Sequence, residues 1–148
     1  MRCWPPALLT LLLLPACRQG PGALAGRQGC SWMSEDEVSQ LFGRTMRQTR
    51  SDPDGCTLES ESDDLLLAYD VRPDEGEFAS LSGYVGPEEV KGLGEAARWV
   101  SMQGGTTAQI HVLKNGQFFI ATLDAGNRPM PDLRVRAEAF ARAMAERM

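Results

Sequence analysis

The sharpest pattern along the chain lies in residues 107–123, where two β-rich, largely apolar runs flank Asn115 and Gly116. Asn-Gly is the preferred pair for a two-residue type I′ turn, so this stretch predicts a β-hairpin. Counting outward from the turn pairs the strands as Lys114 with Gln117, Leu113 with Phe118, Val112 with Phe119, His111 with Ile120, and Ile110 with Ala121. Apolar residues fall on both faces of the hairpin, so we expect helices or loops to cover both.

Two segments carry the signals of helices. Ser34 precedes a run of carboxylates, and Glu37 stands three residues further on, which is the pattern of an N-terminal capping box. Gly43 is expected to end this first helix. In residues 132–148 apolar side chains recur every three or four residues, namely Leu133, Ala137, Phe140, Ala141, Met144 and Met148. This periodicity predicts a C-terminal helix that packs on the sheet.

Two strands are predicted between the first helix and the hairpin. Residues 52–55 read Asp-Pro-Asp-Gly, the composition of a turn, and a strand over residues 56–61 follows them. Residues 65–71 form a second strand, whose nearly continuous apolar run predicts burial on both faces. The Ser-Asp-Asp sequence of residues 62–64 makes the turn between these two strands.

The middle of the chain, residues 73–94, has the weakest pattern. Within it, residues 87–90 (Pro-Glu-Glu-Val) have the composition of the first turn of a short helix. We expect residues 95–100 to form a turn or the start of a strand, and the glycines at 104–105 to form a loop. The order of the elements predicts an α+β domain with a mostly antiparallel sheet flanked by helices, the C-terminal helix being packed on that sheet.

The N-terminal segment has the features of a targeting signal. Arg2 is followed by an apolar stretch over residues 7–14, which is too short for a membrane-spanning helix. The stretch ends in Leu-Pro-Ala-Cys at residues 14–17, which resembles the lipobox of bacterial lipoproteins. This resemblance implies that residues 1–16 are a signal peptide and that Cys17 becomes the lipid-modified first residue. Ordinary secretory cleavage is the alternative.

Composition fits a single globular domain after this signal, because 43% of the 148 residues are hydrophobic. Residues 17–29 are rich in glycine and cannot contribute a core, so we expect the lipid anchor and a flexible tether there. Residues 30–148 then form one α+β domain. Such a protein would lie in the bacterial cell envelope, attached to the membrane through its lipid and facing the periplasm or the cell exterior.

Four cysteines are present, and the predicted processing accounts for two of them. Cleavage removes Cys3, and acylation consumes Cys17. Cys30 and Cys56 remain, and in an oxidising envelope such a pair forms a disulfide, whereas in the cytosol both would stay free. A metal site is not predicted, because these two cysteines are far apart in sequence and the single His111 completes no ligand spacing.

Acidic residues outnumber basic ones, with 20 Asp and Glu against 15 Lys and Arg and a formal net charge of -5. A surface for nucleic acid needs clustered Lys and Arg, so this balance argues against nucleic-acid binding. Ten carboxylates and one base, Arg72, lie in residues 52–77, which we call the acidic span. It lacks the ligand spacing of a calcium loop. It is either a solvated face or a site for a cation or a basic partner.

Several residues are candidates for chemistry or binding. His111 has the only side chain with an unperturbed pKa near neutrality, but no Ser, Cys or carboxylate motif accompanies it, so a structural role is favoured over binding or catalysis. The glycines of Gly92-Leu-Gly94 lack the third glycine of a dinucleotide-binding motif and are interpreted as turn glycines. Aromatic residues either belong to the core or line a cleft. The candidate ligand or partner surface comprises Tyr84, Trp99, His111 and Phe118, with no catalytic residue, metal ligand or cofactor site.

The chain resembles small bacterial envelope lipoproteins, best known from actinobacteria, over most of residues 30–148. Four features carry the resemblance: Cys30 with Ser34-Glu-Asp-Glu37 and Gly43, Gly55-Cys56-Thr57, Gly92-Leu-Gly94-Glu-Ala-Ala97 with Trp99, and the final hairpin and helix. It implies an antiparallel sheet with helices on both sides, related to PsbP-like folds, a Cys30–Cys56 pairing and no catalytic residues.

These observations favour a non-enzymatic, lipid-anchored binding module for an envelope protein or a small apolar ligand. The alternative is a structural module of the envelope without a ligand. A hydrolytic enzyme is the least favoured function.

Overall fold

A computed structural model of the protein describes residues 27–80, 86–102, 106–128 and 130–148. The strands are β1 (Met46–Ser51), β2 (Gly55–Ser60), β3 (Leu66–Pro73), β4 (Glu88–Glu89), β5 (Ala96–Met102), β6 (Thr107–Lys114) and β7 (Gln117–Asp124). The helices are α1 (Glu35–Phe42), α2 (Glu77–Ser80) and α3 (Leu133–Ala145), preceded by a 3₁₀ turn (Gly29–Trp32). Among the described residues, no helix has the length and hydropathy needed to cross a bilayer.

The strands form one seven-stranded sheet in the order β1-β2-β3-β7-β6-β5-β4. Every neighbouring pair in this sheet is antiparallel. Helix α3 packs on β6 and β7. The predicted α+β class, with its antiparallel sheet and its C-terminal helix on that sheet, is confirmed.

The hairpin formed by β6 and β7 has the register that was counted out from its turn. His111 pairs with Ile120, and Leu113 pairs with Phe118, as predicted. Both turn residues have left-handed backbone conformations, with φ of 53° at Asn115 and 71° at Gly116, as a type I′ turn requires. The tip also holds the end of the chain, because Asn115 Nδ2 donates to the carbonyl of Met148.

Local capping signals act in the structure as they were interpreted from the sequence. The Ser34 hydroxyl accepts from the Glu37 amide at 3.3 Å, and a Glu37 carboxylate oxygen accepts from the Ser34 amide at 2.9 Å. Gly43 ends α1 with a φ of 65°. This reciprocal pair satisfies two backbone amides that the first turn of a helix otherwise leaves without partners.

Helices α1 and α3 cover one face of the sheet, which we call the helix face, and the main core lies beneath them. Phe140 of α3 stands at its centre. Its ring centroid lies 5.9 Å from that of Phe42, 5.6 Å from that of Tyr69 and 5.9 Å from that of Phe119. Helices from both ends of the domain thus meet over the middle strands, which fixes the sheet against them.

The opposite face of the sheet carries α2, and we call it the α2 face. Phe78 of α2 packs over Phe118 of β7, and these two residues form a second, smaller apolar cluster. The expected covering of the hairpin on both sides is therefore observed, although α2 has only four residues. Asp74 positions this short helix, because its Oδ1 accepts from the amides of Gly76 and Phe78, each at 3.2 Å.

Three expectations about strands were wrong or incomplete. Strand β1 was not predicted, since as an edge strand it exposes nearly all of its mostly polar side chains. Residues 87–90 do not begin a helix, because Glu88 and Glu89 pair with β5 and that pairing overrides the local Pro-Glu-Glu preference. Strand β3 is buried at alternate residues only, so its α2-face side chains, including Leu66 and Ala68, are half-buried rather than enclosed. The loop predicted at residues 104–105 lies outside the described residues.

A disulfide joins Cys30 to Cys56, as predicted, and fastens the 3₁₀ turn to β2. Gly29, which was predicted at the end of the tether, is itself packed. Its amide donates to the Pro53 carbonyl at 2.9 Å, and its carbonyl accepts from the Tyr69 hydroxyl at 3.3 Å. A Cβ atom at Gly29 would clash with the backbone carbonyl oxygen of Asp52, so the fold requires glycine there.

Candidate functional site

The structure does not bring the four predicted surface residues together. Tyr84 lies outside the described residues, as does the predicted lipidation site Cys17. Trp99 lies in the core on the helix face, with the Arg134 guanidinium 5.8 Å from its ring centroid. His111 and Phe118 are neighbours on the α2 face, where their ring centroids are 5.7 Å apart. Of the three candidates that the structure describes, only His111 and Phe118 lie on the same face of the sheet.

His111 is fully buried and forms part of a short line of polar side chains on the α2 face. Its Nε2 lies 3.0 Å from the Gln109 amide oxygen, and the Gln109 amide nitrogen donates to the Thr122 hydroxyl at 3.1 Å. Burial, and to a lesser extent the positive charge of Arg98, lowers the pKa of His111 to about 4. The ring is therefore neutral at pH 7, and it is enclosed where a substrate does not reach it, which suits a structural role better than general-base catalysis.

Next to this polar line lies a cleft of about 380 Å³ between α2 and the β4–β5 segment, which we call the α2 cleft. Its lining includes Phe78, Pro87, Glu89, Val90, Lys91, Ala96 and Arg98. Phe78, Val90 and Arg98 are buried or half-buried, whereas Glu89 and Lys91 are exposed. The volume is at the lower end of the range for small-molecule sites, and both apolar and charged side chains line the cleft.

Arg98 is positioned by strand β5, which alternates between the two faces of the sheet. Its neighbours in register are His111 on β6 and Glu89 on β4. Its guanidinium carbon lies 4.8 Å from the Phe78 ring centroid, and its Nη1 donates to the Phe78 carbonyl at 3.3 Å. The side chain is thus held over an aromatic ring at the wall of the α2 cleft.

Sequence analysis missed both Phe78 and Arg98. Phe78 stands in the poorly patterned middle of the chain, on a helix too short to show periodicity. Arg98 falls in residues 95–100, for which only a turn or the start of a strand was predicted. The sequence Ala96-Ala-Arg-Trp-Val100 held the available signal. If these residues are read as a strand, Arg98 and Trp99 point to opposite faces of the sheet.

The acidic span has fewer carboxylates available to a partner than its sequence suggests. Arginines pair with four of its ten carboxylates, in the ion pairs Asp52–Arg50, Glu61–Arg47, Asp64–Arg44 and Glu77–Arg72. Hydrogen bonds from serine hydroxyls, assisted by Arg44, lower the pKa of Asp64 to about 2. No group of three or more His, Cys, Asp or Glu side chains suited to a metal ion occurs in the part of the chain that the structure describes.

The glycines at 92 and 94 lie in the turn between β4 and β5, as predicted. Both have left-handed backbones, with φ of 67° and 61°. At Gly94 a Cβ atom would lie 2.6 Å from the carbonyl oxygen of Leu113, so the turn needs glycine to approach β6. This close approach sets one end of the α2 cleft, because both glycines line it.

Comparison of the chain with protein-family models, with curated proteins and with solved structures finds no match. The resemblance to small envelope lipoproteins therefore stays a prediction. What the structure defines is an α+β domain with a seven-stranded antiparallel sheet, a disulfide and a small cleft beside one face of the sheet.

Proposed function

We propose that this protein is a lipid-anchored binding protein of a bacterial cell envelope, and that it holds a small, largely apolar ligand in the α2 cleft. The observation that carries the proposal is the cleft itself, where the aromatic ring of Phe78 and the apolar Val90 and Ala96 line a volume of about 380 Å³. Such a concave, partly apolar site beside a rigid sheet suits binding better than a flat surface does.

Two features support the proposed location. The Leu-Pro-Ala-Cys sequence at residues 14–17 resembles a lipobox, which assigns Cys17 as the lipidated residue. The Cys30–Cys56 disulfide fits an exported domain, because disulfides persist in oxidising compartments and are rare in the cytosol. The lipobox-like sequence and the disulfide are independent features, and both favour an exported protein.

The surroundings of His111 support a function without catalysis. The ring is fully buried and its Nε2 is engaged by Gln109. General acid–base catalysis needs a group within hydrogen-bond reach of the substrate, and this ring is enclosed by strands and by Phe118.

The proposal is tested by non-reducing native mass spectrometry of the protein extracted from its host membranes. We expect a diacyl or triacyl mass increment on Cys17, the two-hydrogen deficit of one disulfide, and a small molecule retained in the gas phase. The Cys17→Ala variant is the matched control and should carry no lipid. An unlipidated wild-type chain would refute the anchor. A lipidated chain that retains nothing, and that binds no apolar probe added to it, would favour the alternative of a structural module.

A further inference from the structure

Arg98 differs from the other arginines of similar burial. Six arginines in the described residues are half-buried: Arg44, Arg72, Arg98, Arg134, Arg136 and Arg147. Five of them have a carboxylate oxygen within 4.0 Å. Within the described residues, Arg98 alone among the six has none. A partly desolvated guanidinium is costly without a counter-charge, so an uncompensated one at the wall of a cleft indicates that an anion belongs there.

The nearby carboxylates do not supply that anion. Glu89 is opposite Arg98 in register, but its side chain is exposed and forms no ion pair with Arg98. Glu95 also lines the cleft, yet its Oε1 accepts from the Asn115 amide at 2.8 Å and is committed to the hairpin turn. Lys91 adds a second positive charge at the exposed side of the cleft. The cleft therefore presents one partly buried cation, one exposed cation and two exposed carboxylates, of which that of Glu95 is held at the hairpin turn.

The guanidinium also has donors to spare. Of its five N–H groups, one donates to a partner among the described residues, the Phe78 carbonyl. The contact with the Phe78 ring and the hydrogen bond to the Phe78 carbonyl hold the Arg98 side chain in place, so little side-chain freedom is lost when an anion binds. The same ring, together with Val90 and Ala96, offers apolar contacts beside the charge. A flat ligand with an anionic end would contact both the guanidinium and these apolar side chains.

The geometry points to the α2 cleft as a binding site for an organic anion, a carboxylate or sulfonate on a flat apolar or aromatic body, with Arg98 as the residue that binds the charge. This inference rests on the proposed binding function and specifies its ligand class. An uncharged apolar ligand would use Phe78 and Val90 but would leave the guanidinium without a counter-charge, so the anion should bind more tightly than its uncharged analogue.

A matched pair of fluorescent probes tests this difference. Anilinonaphthalene sulfonate and phenylnaphthylamine share one aromatic body, and only the first carries a sulfonate. Titrated into the full-length mature protein at neutral pH, the sulfonate should bind at one site and more tightly than the amine. Arg98→Gln should weaken sulfonate binding by about tenfold or more and leave amine binding unchanged. Arg128→Gln, which alters an exposed arginine outside the cleft, should change neither.

A second variant keeps the test decisive if Arg98→Gln does not fold. Glu89→Gln removes an exposed carboxylate opposite Arg98, so it should tighten sulfonate binding and leave the amine unaffected. Near-ultraviolet circular dichroism must show native packing in each variant, because loosely packed states bind the sulfonate probe nonspecifically. Equal affinity of the two probes, unchanged by either substitution, would overturn the anion inference while leaving an apolar site. No binding of either probe would overturn the proposed ligand-binding function as well.

Discussion

The buried histidine on the α2 face predicts that the protein loses stability in mild acid. Burial lowers the pKa of His111 to about 4 in the folded protein, against the usual value of 6.5 for an exposed histidine. Between these two values the unfolded chain binds a proton that the folded chain does not, so the free energy of unfolding falls as the pH decreases. The loss begins below about pH 6.5 and is complete below about pH 4.

The size of this effect follows from the two pKa values. A difference of one pKa unit corresponds to about 1.4 kcal/mol, so the full loss is about 3 kcal/mol, and about 2 kcal/mol of it falls between pH 7 and pH 4.5. Protonation would also place a second cation beside Arg98, which pairs with His111 in register. Such a loss is a large share of the stability of an ordinary domain.

Urea unfolding followed by tryptophan fluorescence measures the effect at pH 7 and pH 4.5. We expect the wild-type free energy of unfolding to fall by about 2 kcal/mol over this range and that of His111→Gln to fall much less, since glutamine has no titrating group. His111→Gln should itself be less stable at pH 7 by about 1 kcal/mol.

Four carboxyl groups in the described residues have shifted pKa values and also affect the acid dependence. Hydrogen bonds lower the pKa of Glu37, bonded by Ser34, and of Asp132, bonded by Arg136, so their stabilising contributions begin to be lost near the acid end of this window, but both groups are present in both proteins and cancel in the comparison. Burial raises the pKa of Asp70, which opposes the histidine effect in this window, but Asp70 is present in both proteins and cancels in the comparison. The pKa of Asp64 is about 2, so its stabilising contribution is lost only below this window. If wild type and variant lose the same free energy between pH 7 and pH 4.5, the assignment of the acid sensitivity to His111 is wrong.

Three further predictions concern stability. Replacing Cys30 and Cys56, 26 residues apart, with serine should cost about 3 kcal/mol by loop entropy, seen as a lower urea midpoint; a midpoint equal to that of the oxidised wild type would contradict it. Phe140→Ala should lower the free energy of unfolding, measured by thermal denaturation, by about 3–5 kcal/mol. Val135→Ala, at a side chain that is 71% exposed, should lower it by under about 0.5 kcal/mol. Similar losses for the two variants would argue against the described core. Ser34→Ala should cost about 1 kcal/mol through loss of the cap, and an unchanged melting temperature would show that the cap does not matter.

Features that depend on neighbours in sequence could be predicted, and those that depend on distant pairing could not. The turn at Asn115 and Gly116 specifies its own geometry, and from it the whole register of β6 and β7 follows by counting. The cap formed by Ser34 and Glu37 is equally local. Strand β4 is different, because its two residues are extended only through their pairing with β5, which no local signal encodes.

The candidate site was harder to predict from the sequence for the same reason. His111 and Phe118 were identified, since the predicted hairpin carries both. Their partners Phe78 and Arg98 reach the α2 face from segments that lie outside the hairpin, and their proximity depends on tertiary packing. Among the described residues no carboxylate forms an ion pair with Arg98, and this depends on the three-dimensional arrangement, so no sequence pattern could indicate it.

The order of strands in the sheet has a consequence for how the domain folds. Strands β1 to β3 are consecutive neighbours, and so are β4 to β7, so each group is a meander built from contacts close in sequence. A single ladder of eight residue pairs, between β3 and β7, joins the two meanders. We call this β3–β7 ladder the seam. Because contacts between distant residues limit the speed of folding, formation of the seam should be the slow step. Substitutions along the seam are then expected to retard folding, whereas those confined to one meander mainly accelerate unfolding.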